Sequence, residues 1–253
     1  MKYQHQTWSK IGAITNGINS PASSWADKAG NLYVANQGIS NNVTEYDPSG
    51  NLIFTYSAGL SEPVAVTTDK FGEVFVINGT ANGSAPKTVT EYPQSSNLSF
   101  SCTLPGGNAG YGVAVDKGGD VFVTLADAHQ IIEYPRGLFR SNCTATVLPV
   151  SVLAIGIAID PVGNLVVCLV SAGTVSMIAP PYTSITGTLA TGLAQPWMIT
   201  INRTGTQAYV VDSANRTLSL QVFTYPSGSI TATLSANVGI EPLTGVADPN
   251  FVP

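Results

Sequence analysis

Charged side chains are scarce in this chain. Asp, Glu, Lys and Arg make up 10% of its 253 residues, against roughly a quarter of a typical soluble domain. Basic residues are fewest, with ten Lys and Arg against fifteen Asp and Glu, which gives a net charge of −5. Nucleic-acid-binding proteins and proteins that attach to anionic membranes need clustered Lys and Arg. The composition therefore predicts no nucleic-acid partner and no binding to an anionic membrane surface.

Long apolar runs are also missing. A membrane-spanning helix needs about 20 consecutive apolar residues, but the longest apolar stretch, 147–159, is interrupted by Pro149 and Ser151. We therefore expect no membrane insertion. Short blocks of Val, Ile, Leu, Tyr and Phe recur along the whole chain, which argues against disorder. With 25 Gly and 16 Pro, this pattern predicts a sheet-rich globular protein.

Only two histidines and three cysteines occur, and none has a zinc-binding spacing or a nucleophile motif. Cys168 lies in the apolar run NLVVCLV and is predicted to be a core residue. Cys102 and Cys143 occupy similar places in successive repeats. A disulfide between them is conceivable, but outer strands of neighbouring blades splay apart and bridged Cα atoms must lie within about 7 Å. The sequence leaves this pairing open.

The first residues, MKYQHQTW, contain no apolar stretch typical of a signal peptide. Lysine is nevertheless rare, whereas Ser, Thr, Asn and Gly are abundant, as in many exported proteins. We expect a secreted or periplasmic monomer whose targeting segment is not part of this sequence.

A repeat runs through the chain. Each copy has a strand that ends in Asp or Asn, a turn with Gly three residues later, and a second apolar strand, as in AVTTDKFGEVFVIN and GVAVDKGGDVFVTL. Gly supplies the positive φ of such a turn, and the Asp or Asn side chain accepts hydrogen bonds from its backbone. The anchors, 42 to 47 residues apart, are Asp27, Asp69, Asp116, Asp160, Asn202 and Asp248.

A third strand that usually ends in Tyr and a fourth strand complete each unit, as in TVTEYPQSS. Four short strands per 42 to 47 residues predict a blade of a β-propeller. We predict an all-β, six-bladed β-propeller with four-stranded antiparallel blades, as one domain over residues 1–253. The repeats lie near 21–62, 63–110, 111–154, 155–195 and 196–241, and the closing blade combines 242–253 with 1–20. A five-bladed ring is the alternative.

The pattern P-x-x-V-x-x-D-x-x-G-N-L-Y-V-A-N, followed by V-x-x-Y-x-x-x-G, resembles the NHL repeat over about residues 20–250. Related propellers include the streptogramin lyase, gluconolactonase and peptidyl-hydroxyglycine lyase groups. Gluconolactonase-type propellers hold a metal with Glu, Asn, Asn and Asp. That resemblance implies a possible Ca²⁺ site at Asn36, Asn78 and Asp212, with Glu62 as a further oxygen ligand. However, the glutamate of that family's first blade is absent from SPASSWAD, and we expect these side chains instead to cap strand ends by bonding nearby backbone.

Binding residues of a propeller collect in the loops at one end of the blades. The candidates predicted there are Asn36, Glu62, Asn78, Asp127, His129, Trp197, Asp212 and Glu241. A streptogramin-lyase-like reaction would need a histidine as general acid or base, and only His5 and His129 exist.

We therefore expect a non-catalytic scaffold that binds a protein or a small ligand with this loop face and needs no cofactor. The alternative is a metal-dependent lactonase, hydrolase or lyase that acts on a small molecule in the central channel.

Overall fold

A computed structural model describes residues 2–3, 10–79, 86–214 and 217–236 of the chain. Twenty strands form five four-stranded antiparallel sheets, and within each sheet strands that follow one another in the chain are hydrogen-bonded neighbours. This is the blade structure that the period and the β-branched and aromatic strand residues predict.

The strands have the following bounds. β1 (Lys2–Tyr3) and β2 (Lys10–Gly12) pair with each other in a separate two-stranded sheet. Blade 1 contains β3 (Pro21–Ala26), β4 (Leu32–Asn36), β5 (Asn42–Tyr46) and β6 (Leu52–Tyr56). Blade 2 contains β7 (Pro63–Thr68), β8 (Val74–Asn78), β9 (Thr88–Tyr92) and β10 (Phe100–Thr103). Blade 3 contains β11 (Gly112–Val115), β12 (Val121–Leu125), β13 (Gln130–Tyr134) and β14 (Thr146–Val147), with the short helix α1 (Leu138–Ser141) before β14.

The remaining strands form the last two blades. Blade 4 contains β15 (Ala154–Ile159), β16 (Leu165–Leu169), β17 (Thr174–Ile178) and β18 (Gly187–Ala190). Blade 5 contains β19 (Pro196–Ile201), β20 (Gln207–Ala214), β21 (Thr217–Thr224) and β22 (Ile230–Ala236). Single 3₁₀ turns span Pro105–Gly107, Ala126–Ala128 and Val170–Ala172.

The prediction of six blades is wrong, because the structure has five. Every blade takes all four of its strands from one continuous stretch of chain, so none is shared between the two termini. The N-terminal strands assigned to a closing blade, β1 and β2, form a separate two-stranded sheet. Residues 237–253, which were to supply the rest of that blade, lie outside the described residues.

The blades pack face to face around a central channel. Their first strands lie side by side, β3 beside β7, β7 beside β11, β11 beside β15 and β15 beside β19. Buried apolar clusters fill the spaces between consecutive blades. A Cβ on Gly112 would lie 2.5 Å from the carbonyl oxygen of Ile155, and one on Gly156 would lie 2.5 Å from that of Trp197. Glycine is required there because the inner strands of blades 3, 4 and 5 approach at backbone contact.

The repeated Asp or Asn turn is confirmed at one end of the blades, which we call the turn end. Asp160 shows its chemistry: Oδ1 accepts the backbone N–H groups of Val162 at 3.0 Å and Asn164 at 2.8 Å. Its other oxygen accepts the hydroxyl of Tyr225, at the end of the third strand of blade 5, at 2.7 Å. The glycines of these turns have positive φ in all five blades, at Gly30, Gly72, Gly119, Gly163 and Gly205. The motif thus shapes each turn and here also ties one blade to the next.

Two of the cysteines form a disulfide. Cys102 on β10 of blade 2 is bonded to Cys143, which follows α1 in blade 3, with Cα atoms 5.3 Å apart. Only Cys102 lies on an outer strand, whereas Cys143 lies in the segment between α1 and β14. Residues Asn142 and Cys143 both have positive φ, and this left-handed turn after α1 brings the second cysteine to β10. The remaining cysteine, Cys168, is buried in the core as predicted.

Candidate functional site

The opposite end of the blades, where second strands lead into third strands and blades connect, is called the loop end here. Three of the predicted site residues, Asn36, Asn78 and Asp212, end the second strands of blades 1, 2 and 5. Each lies opposite the proline that begins the first strand of its own blade. All three are buried, so the structure places them inside the blade end and not on an exposed loop.

Their side-chain oxygens accept hydrogen bonds from the backbone of the incoming blade connection. Asn36 accepts from the N–H of Asn19 at 3.0 Å, and Asn78 accepts from Ser61 at 2.5 Å. In both cases the donor lies two residues before the proline, whose own nitrogen carries no hydrogen. Asn36 and Asn78 therefore act as structural caps of the loop end.

Asp212 makes the same cap with a carboxylate. One oxygen accepts from Gln195 at 2.7 Å and the other from Ala194 at 3.2 Å, and Gln221 donates its side-chain amide to the second oxygen. These oxygens are therefore directed at their own blade.

The three caps fit poorly as one Ca²⁺ site. The side-chain oxygens of each cap already accept hydrogen bonds from backbone N–H groups of a different blade connection. Among the described residues, no group of three or more His, Cys, Asp or Glu side chains is close enough to hold a metal ion. The calcium prediction stays untested, and no catalytic step is derived from a metal at this position.

Blade 3 presents a different set of polar groups at its loop end. Asp127 and His129 are both exposed on the short turn between β12 and β13. The hydroxyl of Tyr111, in the connection into blade 3, donates to Asp127 Oδ1 at 3.4 Å. Burial, together with the nearby Asp127 carboxylate, raises the pKa of Tyr111. This patch offers a hydroxyl, a carboxylate and an imidazole to a polar ligand.

His129 has an unusual backbone for a non-glycine residue, with φ of 54°. Gly173 occupies the corresponding position in blade 4, directly before the third strand, with φ of 62°. Each residue's carbonyl oxygen accepts an N–H from the connection to the next blade, that of Val152 at 3.1 Å and that of Leu193 at 3.0 Å. The sequence predicts a loop position for His129 but does not reveal that glycine is preferred at this position.

The other predicted site residues are dispersed. Glu62 has φ of 62° and is half-buried, and its N–H donates to Asn41 Oδ1 at 2.7 Å. Trp197 is the extra residue of a bulge in β19, between the paired residues Pro196 and Met198. Glu241 and His5 lie outside the described residues.

The central channel is lined by residues 23–25, 65–67, 112–115, 157–159 and 198–201, all on the five first strands. Its cavity volume is about 80 Å³. None of these lining residues carries an ionisable side chain. Trp25 lies in this wall, and its indole N–H donates to the hydroxyl of Thr68 at 3.0 Å. The channel can therefore accommodate a neutral molecule but offers no acid, base or charged ligand from its wall.

A buried carboxylate network in blade 1 was not anticipated. Glu45 accepts the hydroxyls of Tyr33 and Tyr56, both at 2.9 Å, and is itself buried. Burial raises the pKa of both tyrosines, with the Glu45 carboxylate adding to the effect. The network joins three strands of blade 1, and the backbone N–H of Ser95 in blade 2 donates to the Tyr56 hydroxyl at 3.0 Å. Because every member is paired inside the core, the network is not a site open to a ligand.

Similarity to known proteins lies in the fold. The sequence matches no protein-family model and no curated protein. No helix among the described residues is long and apolar enough to cross a membrane. A streptogramin B lyase structure superimposes with a TM-score of 0.64 and 12% identity, over 88% of this chain and 70% of the lyase.

Two further structures are similar. One is a catalytically inactive variant of virginiamycin B lyase from Staphylococcus aureus with quinupristin, with a TM-score of 0.65, 12% identity and coverage of 95% of this chain and 77% of that one. The other is a functionally unknown protein from Desulfotomaculum acetoxidans, with a TM-score of 0.67, 14% identity and coverage of 96% and 78%. The predicted likeness to streptogramin-lyase-type propellers is therefore confirmed at the level of the fold.

Proposed function

We propose that this chain is a non-catalytic, extracytoplasmic propeller that binds a protein or a small ligand with the loop end of its blades. The observation that carries the proposal is His129, which adopts a left-handed backbone where blade 4 has Gly173. A non-glycine residue in this conformation costs free energy that the fold does not require, and such residues are concentrated at functional sites. The exposed Asp127 carboxylate and the Tyr111 hydroxyl lie in the same patch.

The buried polar residues at the strand ends support a binding role over catalysis. Asn36, Asn78 and Asp212 direct their oxygens to backbone N–H groups of their own blades. A general acid or base must instead reach a proton of the substrate. The side chains left to contact a ligand are exposed ones on the loops.

The disulfide supports the extracytoplasmic location. Cys102 and Cys143 join neighbouring blades, and structural disulfides form and persist mainly in oxidising compartments such as the periplasm or the extracellular space.

Arrays of glycans and peptides probed with the labelled protein test the binding role. We expect a ligand that is lost when Asp127→Asn and His129→Gly are combined, because both exposed side chains of the patch are then changed. The matched control is Asp47→Asn, a carboxylate at the turn end that accepts hydrogen bonds from Asn51. A ligand that Asp47→Asn removes equally, or an array with no ligand dependent on the loop end, contradicts the proposal.

The alternative function is a metal-dependent lyase or hydrolase, favoured by the fold shared with the streptogramin B lyases. Quinupristin and a panel of lactones, incubated with the protein and Ca²⁺ or Mg²⁺, test it by mass spectrometry. We expect no conversion. Conversion that EDTA abolishes would overturn the binding proposal and favour the enzyme.

A further inference from the structure

The turn end of the blades carries a repeated basic residue. The residue directly after each Asp or Asn anchor is exposed, and in four of the five blades it is Lys or Arg. These residues are Lys28, Lys70, Lys117 and Arg203, with Pro161 in blade 4. They are four of the ten Lys and Arg in a chain of net charge −5. Because the turns follow the first strands, which line the channel, the basic side chains surround its mouth.

The turn itself does not require a cation at this position. Blade 4 has Pro161 there, and its turn is closed by the same hydrogen bond as the others. The N–H of Asn164 donates to Asp160 Oδ1 at 2.8 Å, and the equivalent bond in blade 1, from Asn31 to Asp27, is 2.9 Å. The recurrence of a basic residue in the other four blades therefore needs a reason other than turn geometry.

Hydrogen bonds hold two of the cations around the channel mouth. The amine of Lys70 donates to the backbone carbonyl of Lys117, and the amine of Lys117 donates to that of Pro161. Both bonds are exposed to water, so they direct the amines more than they stabilise the fold. The anchor carboxylates accept N–H groups of their own turns, as Asp69 does from Phe71 at 2.8 Å. The exposed charges directly after the anchors are therefore positive, although the chain as a whole is acidic.

Two large apolar side chains are exposed beside these cations. The residues that follow the basic position in blades 2 and 4 are Phe71 and Val162, which are 65% and 80% exposed. Blade 3 lies between them and has Gly118 at this position, so no side chain there separates the two. Aromatic residues and Arg are enriched in the cores of protein interfaces. We call this surface the turn-end rim and define it as Lys28, Lys70, Phe71, Lys117, Val162 and Arg203.

We propose that the turn-end rim binds an acidic segment of a partner protein that also carries apolar side chains. The carboxylates of the segment pair with the rim cations, and its apolar side chains contact Phe71 and Val162. A long polyanion such as a nucleic acid fits less well, because it extends past the rim over an acidic molecule. A short segment is governed by the charges near it, since physiological salt screens charges beyond roughly 8 Å. The rim and the loop-end patch lie at opposite ends of the blades, and neither proposal depends on the other.

Fluorescein-labelled peptides test this proposal by fluorescence anisotropy. The main probe is a short peptide that alternates pairs of Glu with single Leu. Two comparison peptides have Ser in place of Leu, or Lys in place of Glu, and inorganic polyphosphate is a further probe. We expect saturable binding of the Glu–Leu peptide that weakens with added salt. The Glu–Ser peptide should bind more weakly, and the Lys–Leu peptide should not bind.

Two substitutions in blade 2 separate the charged and the apolar contributions. We expect Lys70→Gln to weaken binding of the Glu–Leu peptide about 3- to 5-fold, as for an exposed ion pair. Lys87→Gln is the matched control, because it removes the same charge at the loop end of the same blade, and should leave the affinity unchanged. Phe71→Ser should weaken the Glu–Leu peptide about 10-fold and leave the Glu–Ser peptide unchanged.

Three results overturn the proposal. The first is no saturable binding of the Glu–Leu peptide, and the second is the same affinity for this peptide in Lys70→Gln and Lys87→Gln. The third is equal binding of the Glu–Leu peptide, the Glu–Ser peptide and polyphosphate, which would identify a surface that recognises negative charge alone.

Discussion

Blades 1, 2 and 5 satisfy the backbone of their loop ends in one way, and blades 3 and 4 in another. In the first group a buried Asn or Asp side chain accepts the N–H two residues before a proline, as Asn36 does for Asn19. In the second group a leucine, Leu125 or Leu169, takes that position. A backbone carbonyl in a left-handed turn then accepts an N–H from the connection to the next blade, as that of Gly173 does for Leu193.

The difference shows which side chains the fold needs. Where a side chain makes the cap, its chemistry is fixed by the backbone it serves, so Asn36 and its counterparts have little freedom for other roles. Where the backbone makes the bond, the side chain in the left-handed turn contributes nothing to it. Blade 4 has glycine there and blade 3 has His129, so the histidine is the position at which binding chemistry can be added without loss of the loop end.

The largest effect is expected when a capping residue is replaced by leucine, which blades 3 and 4 have at the same position. Asp212→Leu leaves the N–H groups of Gln195 and Ala194 without their acceptors inside a buried blade end. We expect the free energy of unfolding, measured by urea denaturation, to fall by about 3 kcal/mol. Asp212→Asn is the matched control, because it keeps an acceptor oxygen, and should lose much less. Equal stability of Asp212→Leu and the original chain would show that the cap is dispensable.

A smaller loss is expected at Gly173, which tests whether blade 4 tolerates a side chain in its left-handed turn. A Cβ there would lie 2.3 Å from the carbonyl oxygen of Leu193, the residue whose N–H the turn accepts. We expect Gly173→Ala to lower the free energy of unfolding by about 2 kcal/mol. Gly192→Ala separates the two causes, because its φ is also positive but no atom lies within 4 Å of the added Cβ. If both variants lose the same free energy of unfolding, the loss comes from the positive φ alone and not from the contact with the Leu193 carbonyl oxygen.

His129→Gly is the converse change and should raise stability. The left-handed backbone disfavours histidine but not glycine, so we expect a gain of about 0.5 kcal/mol in the free energy of unfolding. His129→Asn should lie between the two, since asparagine tolerates this conformation better than most residues. A loss of stability in His129→Gly would mean that the imidazole makes a structural contribution, and would weaken the case for a binding role.

Local chemistry was readable from the sequence, whereas pairing across the chain was not. The Asp160 turn was predicted because its donors and its glycine lie within four residues of the anchor. The sixth blade was predicted from strand-like segments at the two ends, but alternation does not reveal which strand pairs with which. β1 and β2 could therefore be assigned to a closing blade, although they form a separate two-stranded sheet.

The features that the sequence left open depend on distant parts of the chain. The Cys102–Cys143 bond depends on a turn after α1 that returns the chain to β10. The Asn and Asp caps were considered as both caps and metal ligands, since either role uses the same residue types at the same strand ends.

The smallest effect concerns the third strands, where blade 3 has Glu133 and blade 4 has Met177. Burial raises the pKa of Glu133, and the carboxylates of Asp120 and Asp116 raise it further. The folded chain therefore binds this proton more tightly than the unfolded chain. The contribution of Glu133 to stability is accordingly lost as pH rises from its unfolded pKa through its folded pKa.

We expect Glu133→Gln to be more stable than the original chain at neutral pH, because it removes an ionised group that the folded state disfavours. The difference should shrink as pH falls below the unfolded pKa, where both side chains are neutral. Thermal melts across this range measure this difference in stability.

Asp47→Asn should show the opposite sign, since hydrogen bonds from Asn51 lower the pKa of Asp47 and so favour its ionised form in the folded chain. If the stability of both variants changes with pH in the same direction, net charge and not the local environment controls the pH dependence. The third strands of blades 3 and 4 then do not differ electrostatically in the way that their sequences imply.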